Sequence, residues 1–314
     1  MHVYLPVAEV SLDVFVLIGL GAAIGFLSGL FGVGGGFLVT PLLIFLGVPP
    51  AVAAATGANT VIAPSVSGVL SGLRRRGVDF RMGAILLLGG FVGSAASVGL
   101  FALLRRIGQI DLVVALSYVL LLGTIGTLML VESARAWQRR ARMAGVMRSK
   151  LHHHTWIHGL PLKMRFPRSR LYISALVPAG IGFGVGALSG IMGVGGGFML
   201  VPAMIYVLGM PSSVVVGTSQ FQIIFVAANV TFLQSYANQT VDIILAVVLM
   251  VGSVVAAPLG ARLGAKLRAE QMRVLLAVLV LGVAGQLAYD LVAPPEDLFS
   301  IETRNNAIGS AANQ

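Results

Sequence analysis

The 314-residue sequence lacks cysteine and contains few charged residues. Without cysteine the chain can form no disulfide and can carry out no thiol chemistry. Charged residues make up 10% of the chain, whereas soluble domains average roughly 25%, so too few are present to cover a water-facing surface. Hydrophobic residues make up 57%, and glycine occupies 40 positions. Because abundant glycine suits close packing of helices in lipid, the composition indicates an integral membrane protein.

The long apolar runs also lack ionisable residues in their interiors. The aspartates nearest to them, Asp13, Asp111, Asp242 and Asp290, all lie near the ends of runs. Because intramembrane ionisable groups normally mark proton relays, this absence argues against a carboxylate relay and against a salt bridge to a bound anion. It also leaves no titratable cluster for an enzyme, so we expect no catalytic residue, no metal and no cofactor.

A histidine-rich segment invites comparison with a metal site. His154 and His158 are four residues apart, as two ligands on one helical face can be. No acidic residue or cysteine accompanies them, so a polar cytoplasmic loop is the favoured interpretation.

The lengths of the apolar runs predict an all-α polytopic membrane protein with eight full transmembrane helices. A spanning helix needs about 20 mostly apolar residues, and the runs that reach this length are Leu12–Phe31, Ala51–Leu73, Met82–Leu104, Leu112–Val131, Leu171–Met192, Ser212–Tyr236, Val241–Ala265 and Val274–Val292. Two shorter runs, Phe37–Leu46 and Phe198–Leu208, cover only about half of a ~30 Å hydrocarbon core. They are predicted to be half-helices, either re-entrant or broken.

The two halves of the chain repeat one another. Gly25–Ile44 aligns without a gap on Gly186–Ile205, with 12 of 20 positions identical. With one residue of slippage, the alignment continues to Thr56 and Thr218. An internal repeat of this length in a membrane protein is typical of transporters.

The distribution of basic residues predicts how the halves are oriented. The loop Arg74–Arg81 is rich in arginine, whereas its counterpart Ala237–Asp242 has no lysine or arginine. The next loop reverses this bias in favour of the second half, at Lys266–Arg273. Because basic loops stay in the cytoplasm, the halves are predicted to be inverted-topology repeats with both termini outside. Arg105 and Arg106 then lie on the outer side, against the rule.

Four segments follow from these patterns. Residues 12–131 are the first transmembrane repeat, 132–170 a basic cytoplasmic linker, 171–292 the second repeat, and 293–314 a polar tail predicted to be disordered. The linker carries ten of the 21 lysine and arginine residues. The formal net charge of +10 therefore belongs to the loops of a membrane protein, and no nucleic-acid partner is predicted.

Each half contains a GVGGG segment, Gly32–Gly36 and Gly193–Gly197, directly before a predicted half-helix. Four glycines in five residues disfavour a helix, since each costs up to ~1 kcal/mol relative to alanine. The following half-helix would present free N–H groups and the positive end of its dipole at membrane depth. Such ends bind anions in repeat transporters, and glycine lets an anion approach the backbone closely. The alternative is that these glycines only allow helices to pack tightly.

Neutral polar residues lie near both breaks. Buried hydroxyls and amides need partners and can ligate an oxyanion, or they can bond helix to helix. The candidate substrate-binding residues are Ser28, Gly32, Gly34, Gly35, Gly36, Thr56, Asn59, Ser189, Gly193, Gly195, Gly196, Gly197, Thr218, Ser219 and Gln220. Pro41 and Pro202, five residues after the last glycine of each run, are assigned a structural role at the helix breaks.

The paired GVGGGF motifs, their prolines, the following Gly-x-Pro and the later threonines resemble the TauE/SafE family of membrane transporters, also called the sulfite exporter or TSUP family. The resemblance covers roughly residues 12–292. It implies transport of sulfite, sulfonates and related small anions, often as export. It also supports roles for most of the motif glycines, both prolines, Thr56, Thr218 and Ser219. The family's Thr-Ser pair is kept at Thr218-Ser219, whereas the first half has Thr56-Gly57.

The sequence thus predicts a multi-pass transporter of the bacterial inner (plasma) membrane. Its partners would be membrane lipid and a sulfur oxyanion or organosulfonate resembling sulfite or sulfoacetate. The anion would bind near the midplane, at half-helix N-termini and neutral polar side chains. The alternative is an anion channel or facilitator without a coupled ion. The exact substrate, the direction, the coupling ion and the oligomeric state, homo-oligomer included, stay open.

Overall fold

In the computed structural model of the chain, the described residues are 2–31, 35–74, 77–142, 162–169, 171–264, 266 and 269–292. They form two β-hairpins, eleven α-helices and one π-helical turn. In chain order these elements are β1 His2–Leu5, β2 Val10–Asp13, α1 Val14–Phe31, α2 Gly36–Phe45, α3 Pro50–Thr60, α4 Ile62–Arg74, α5 Phe80–Ile107, α6 Ile110–Arg142, β3 Lys163–Phe166, β4 Leu171–Ser174, α7 Leu176–Met192, α8 Gly197–Tyr206, α9 Ser212–Leu233, the π-helical turn Gln234–Asn238, α10 Ile243–Gly264 and α11 Ala269–Val292.

Six helical segments among the described residues are long and apolar enough to cross a membrane. They are Val14–Phe31, Phe80–Ile107, Ile110–Val131, Val214–Asn238, Ile243–Gly264 and Val274–Val292. The prediction of an all-α polytopic membrane protein is therefore confirmed at this level. The prediction of eight full-length helices needs two corrections, in Ala51–Leu73 and in Leu171–Met192.

The run Ala51–Leu73 is interrupted at Val61, between α3 and α4. Pro64 lies in the first turn of α4 and has no N–H. In a continuous helix that N–H would have bonded to the carbonyl of Thr60, so the break falls where the bond is missing.

The run Leu171–Met192 is divided differently. Leu171–Ser174 is strand β4, which pairs with β3, and the helix that follows, α7, has 17 residues.

The two short apolar helices are present as α2 and α8, ten residues each. At 1.5 Å per residue each is about 15 Å long, half of a hydrocarbon core. Each begins after a glycine with left-handed backbone, Gly35 (φ 65°) or Gly196 (φ 78°). Pro41 and Pro202 lie inside these helices and remove one internal hydrogen bond from each.

Each half begins with an antiparallel hairpin, and the two have the same register, with His2 opposite Asp13 and Lys163 opposite Ser174.

The stretch 132–170, predicted to be a linker, includes the end of α6 and strand β3. Its middle, 143–161 with all four of its histidines, lies outside the described residues, as does the tail 293–314.

Glycines bring the helices of the two halves into backbone contact. Along α1 and α10, Gly25 lies against the carbonyl of Ser253, and along α5 and α7, Gly186 lies against the carbonyl of Gly90. A Cβ atom at either glycine would overlap these carbonyls. A third pair, α6 with α11, packs through side chains, with Leu281 and Val280 of α11 lying against Gly126 of α6. Large apolar side chains elsewhere on these helices are exposed on the outer surface, as a lipid-facing surface requires.

Candidate functional site

The N-termini of the two half-helices lie beside each other. The rings of Phe37 and Phe198, the second residues of α2 and α8, stack with centroids 4.7 Å apart. Gly36 lies against the carbonyl of Val194, where a Cβ atom would overlap it. Neither N-terminus has a side-chain cap. The first turns of both helices therefore present their backbone N–H groups close together in space, as the repeated motif led us to expect.

The second glycine run combines left-handed backbone with close packing. Gly193, Gly195 and Gly196 have φ values of 70°, 69° and 78°, a region that favours glycine. A Cβ atom at Gly193 would overlap the carbonyl of Ala54, and one at Gly195 would lie 2.6 Å from the side chain of Val61. The glycines of this run therefore serve both predicted roles: they adopt a left-handed backbone, and they allow neighbouring residues to pack closely. In the first run, Gly32 and Gly34 lie outside the described residues.

The carbonyl that ends α7 is fixed by side chains that sequence reasoning did not select. Met192 O accepts a hydrogen bond from Tyr118 Oη at 2.7 Å and one from Thr40 Oγ1 at 3.2 Å. These bonds tie α6, α2 and the second glycine run together in a fully buried place. The one available signal was a lone tyrosine in the apolar run Leu112–Val131, which is also compatible with simple packing.

Thr56 and Thr218 join the two halves reciprocally. Thr56 Oγ1 accepts a hydrogen bond from the backbone N–H of Asp242 at 3.1 Å, and Thr218 Oγ1 accepts one from Asp79 N–H at 2.9 Å. Thr218 Oγ1 also donates to the carbonyl of Val214 at 2.8 Å. Both hydroxyls are fully buried and already have protein partners. This arrangement positions the start of α10 and the start of α5 across the molecule.

Two buried aspartates complete these junctions. Asp79 Oδ1 accepts from the first N–H groups of α5, and its Oδ2 accepts from Ser169 N at 3.1 Å and Ser169 Oγ at 2.6 Å. Asp242 Oδ1 accepts from Leu245 N at 3.0 Å, and its Oδ2 accepts from Val7 N at 3.2 Å. Each carboxylate therefore caps one helix and holds the turn of one hairpin. The signal available in the sequence was an aspartate just before an apolar run, which is typical of an N-cap.

A cavity of about 210 Å³ lies between α1, α4, α9 and α10. Its lining includes Ser28, Ser67 and Gln220, several glycines and prolines, and no charged side chain among the described residues. Gln220 is 6% exposed, and its Oε1 has no hydrogen-bond partner among the described residues. Ser28 lies next to Gly35 at the start of α2, since a Cβ atom at Gly35 would be 2.6 Å from Ser28 Cβ. The cavity thus brings together two predicted residues, Ser28 and Gln220, and Gly35 lies behind Ser28 without lining the cavity.

The other predicted polar residues do not line this cavity. Ser189 is fully buried on α7, and its hydroxyl has no partner in the part of the chain that the structure describes, whereas Asn59 is half-buried on α3. Ser219 Oγ donates to Val216 O at 2.9 Å within its own helix. Gln222, which was not selected, is fully buried, and neither of its amide atoms has a partner among the described residues.

Comparison with known proteins gives a consistent result. The family model for sulfite exporter TauE/SafE proteins matches residues 17–287. A probable membrane transporter protein of Xylella fastidiosa (strain 9a5c) is 31% identical over 211 residues, which cover 66% of this chain and 68% of that protein. The probable membrane transporter protein YunE of Bacillus subtilis (strain 168) is 26% identical over 289 residues, covering 88% and 97%. YjnA of the same strain, also a probable membrane transporter protein, is 30% identical over 205 residues, covering 64% and 71%. No solved structure matches the chain significantly.

Proposed function

Because the chain belongs to the sulfite exporter TauE/SafE family, and is thus a multi-pass membrane transport protein, we propose that it carries a small sulfur-containing anion. A sulfur oxyanion or an organosulfonate fits best, and the membrane would be a bacterial inner membrane. The cavity between α1, α4, α9 and α10 is the proposed binding site. Its volume of about 210 Å³ lies below the range of about 300–1,000 Å³ for drug-sized ligands, as a small anion requires.

The observation that carries this proposal is an uncharged, polar cavity beside a helix start. An anion there would be held by the Nε2 donor of Gln220 and the hydroxyls of Ser28 and Ser67, with the uncapped start of α2 beside Ser28. Hydrogen bonds to an ionised acceptor are roughly twice as strong as neutral ones, and the helix N-terminus adds a favourable dipole. No buried cation is needed in such a site, which agrees with the lack of one in the described lining.

We propose in addition that the halves are inverted-topology repeats related by a pseudo-twofold axis. Support comes from reciprocal contacts: α1 packs on α10 and α5 on α7, Thr56 and Thr218 each hold the other half, and Phe37 stacks on its own counterpart Phe198. Such exchanged and self-paired contacts are what a twofold axis produces. Inverted repeats with binding at their interface are common in secondary transporters.

The proposal predicts that Gln220→Leu weakens anion binding in purified protein by about 10- to 150-fold. The reason is the loss of a hydrogen bond to a charged group, which is worth roughly 1.5–3 kcal/mol. A panel of sulfite, sulfonates, sulfate and chloride in liposomes would rank the substrates. Gln286→Leu, the same change at an exposed position of α11, is the matched control. Wild-type affinity in a folded Gln220→Leu variant would move the site elsewhere.

The uncharged lining also supports a second candidate, an anion channel or facilitator without a coupled ion. A coupled carrier commonly uses ionisable groups in its path, and the described lining has none. Voltage-clamped liposomes separate the two candidates, because a channel gives unitary currents and a carrier does not.

A further inference from the structure

The cavity has a counterpart in the other half, and that counterpart is filled. Continuing the alignment from Thr56 and Thr218 without a gap pairs Ser67 with Asn229 and Gly72 with Gln234. Ser67 and Gly72 are small, and both line the cavity. Asn229 and Gln234 carry long amide side chains at the equivalent places. The two halves therefore differ at these equivalent positions: small residues leave the cavity open in one half, and long amide side chains occupy the corresponding space in the other.

The amide side chains form hydrogen bonds to α5 and α7, the counterparts of the α10 and α1 helices that border the cavity. Asn229 Nδ2 donates to Ser94 Oγ at 2.8 Å and links α9 to α5. Gln234 Nε2 donates to the carbonyl of Gly190 on α7 at 3.0 Å. Gln234 Oε1 accepts from Asn238 Nδ2 at 2.6 Å and from Thr240 Oγ1 at 3.4 Å. Gln234 is fully buried, so this network closes the space beside Ser189 and Gly190.

A basic cleft lies directly outside this network. Arg105, Arg106 and Asn238 line a surface cleft of about 350 Å³, and the guanidinium of Arg105 donates to the carbonyl of Asn238. These are the two arginines that the loop charges predict to lie on the outer side, against the positive-inside rule. The segment between cleft and network is the π-helical turn Gln234–Asn238, and π-turns are frequent at functional sites.

We propose that this end of the molecule is the second mouth of the transport path, closed in this conformation, with Gln234 as its gate and the Arg105–Arg106 cleft as its anion-collecting entrance. The inference rests on the proposed transport function, because a carrier must expose its site to each side in turn. Opening requires only that the Gln234 amide leave Gly190, Asn238 and Thr240. Each of those groups can then bond to water, so the exchange costs little.

Cysteine accessibility tests the gate without any transported substrate, because the chain has no cysteine of its own. Ser189→Cys should resist a membrane-impermeant thiol reagent added from the Asn238 side. In a Gln234→Ala background, which keeps helix propensity, labelling from that side should rise at least tenfold. A Thr240→Val background, which removes one hydrogen bond to Gln234, should give a smaller increase. Gln286→Ala on α11 is the matched control and should leave labelling unchanged.

Two results would overturn the gate. One is equal labelling of Ser189→Cys in the parent and in both gate variants. The other is labelling that rises equally from the two sides, which indicates general loosening rather than a gate. A failed substrate assignment would leave these labelling results untouched, so the two failures can be told apart.

The entrance is tested by salt dependence. Arg106→Gln should slow anion flux from the Asn238 side several-fold at low ionic strength, and the difference should vanish in high salt because exposed charges are screened. Flux from the opposite side should not change. Arg81→Gln, an exposed arginine at the other end, is the control and should not slow flux from the Asn238 side. Salt-independent loss, or equal loss from both sides, contradicts an electrostatic entrance.

Discussion

Buried polar side chains in this protein fall into two groups at the residue scale. Thr56 and Thr218 have backbone partners in the opposite half, and these bonds favour a positioning role. Gln220 and Gln222 are buried with amide atoms unpaired among the described residues. An unpaired buried amide atom costs free energy unless something bonds to it. Only an amide N–H₂ can donate to an anion, so the Nε2 atoms of the two glutamines are the candidates for contact with one, whereas the unpaired Oε1 of Gln220 needs a donor. The sequence could not separate these groups, because a partner that lies over a hundred residues away leaves no local pattern. The proposed binding roles of both threonines stay predictions.

The buried carboxylates give a prediction at the same scale. Asp79→Asn should destabilise the protein by about 1–3 kcal/mol, because an amide N–H₂ would replace the oxygen that accepts from Ser169. The melting temperature of the purified variant in detergent measures this loss. The control is Asp290→Asn, an exposed carboxylate at the end of α11, which should change the melting temperature little. Similar shifts for the two variants would contradict the structural role of Asp79.

At the scale of elements, local chemistry predicted the short helices and missed other boundaries. Consecutive glycines next to an apolar run placed α2 and α8 correctly. Pro64 carries a signal for the break at Val61, which the prediction of one helix over Ala51–Leu73, based on apolar length alone, did not use. The hairpins were missed because β2 and β4 continue into α1 and α7 as apolar sequence. Their pairing depends on β1 and on β3, which lie outside those runs.

The glycines that line the contacts between paired helices give a prediction at this scale. Gly186→Ala should destabilise the protein, because the new Cβ atom would overlap the carbonyl of Gly90 and force α7 away from α5. Gly184→Ala on the same helix meets open space and should be neutral, or up to ~1 kcal/mol stabilising through helix propensity. Melting temperatures of the pair measure the difference. If both variants melt together, α5 and α7 do not meet at Gly186.

At the scale of the whole molecule, the direction of the long helices predicts which loops share a side of the membrane. The 28 residues of α5 separate its ends by about 42 Å, so Arg81 and Gln239 should face opposite compartments. In vesicles of known orientation, single cysteines at Arg81 and Lys266 should be labelled from one side and a cysteine at Gln239 from the other. All three positions are exposed. Labelling of Arg81 and Gln239 from the same side would refute the inverted repeats.

The contact between the first hairpin and Asp242 sets the order in which the chain can assemble. Val7 and its acceptor are 235 residues apart in sequence, and at roughly 5–20 residues per second a ribosome needs about 12–47 s to make that length. During this time α1 resides in the bilayer without α10, its glycine face covered only by lipid or by the insertion machinery. The amino-terminal half therefore cannot reach its final packing while it is being made. Its maturation waits until α10 has been made, and a ribosome that stalls before α10 leaves a fragment in which the glycine face of α1 has no partner helix.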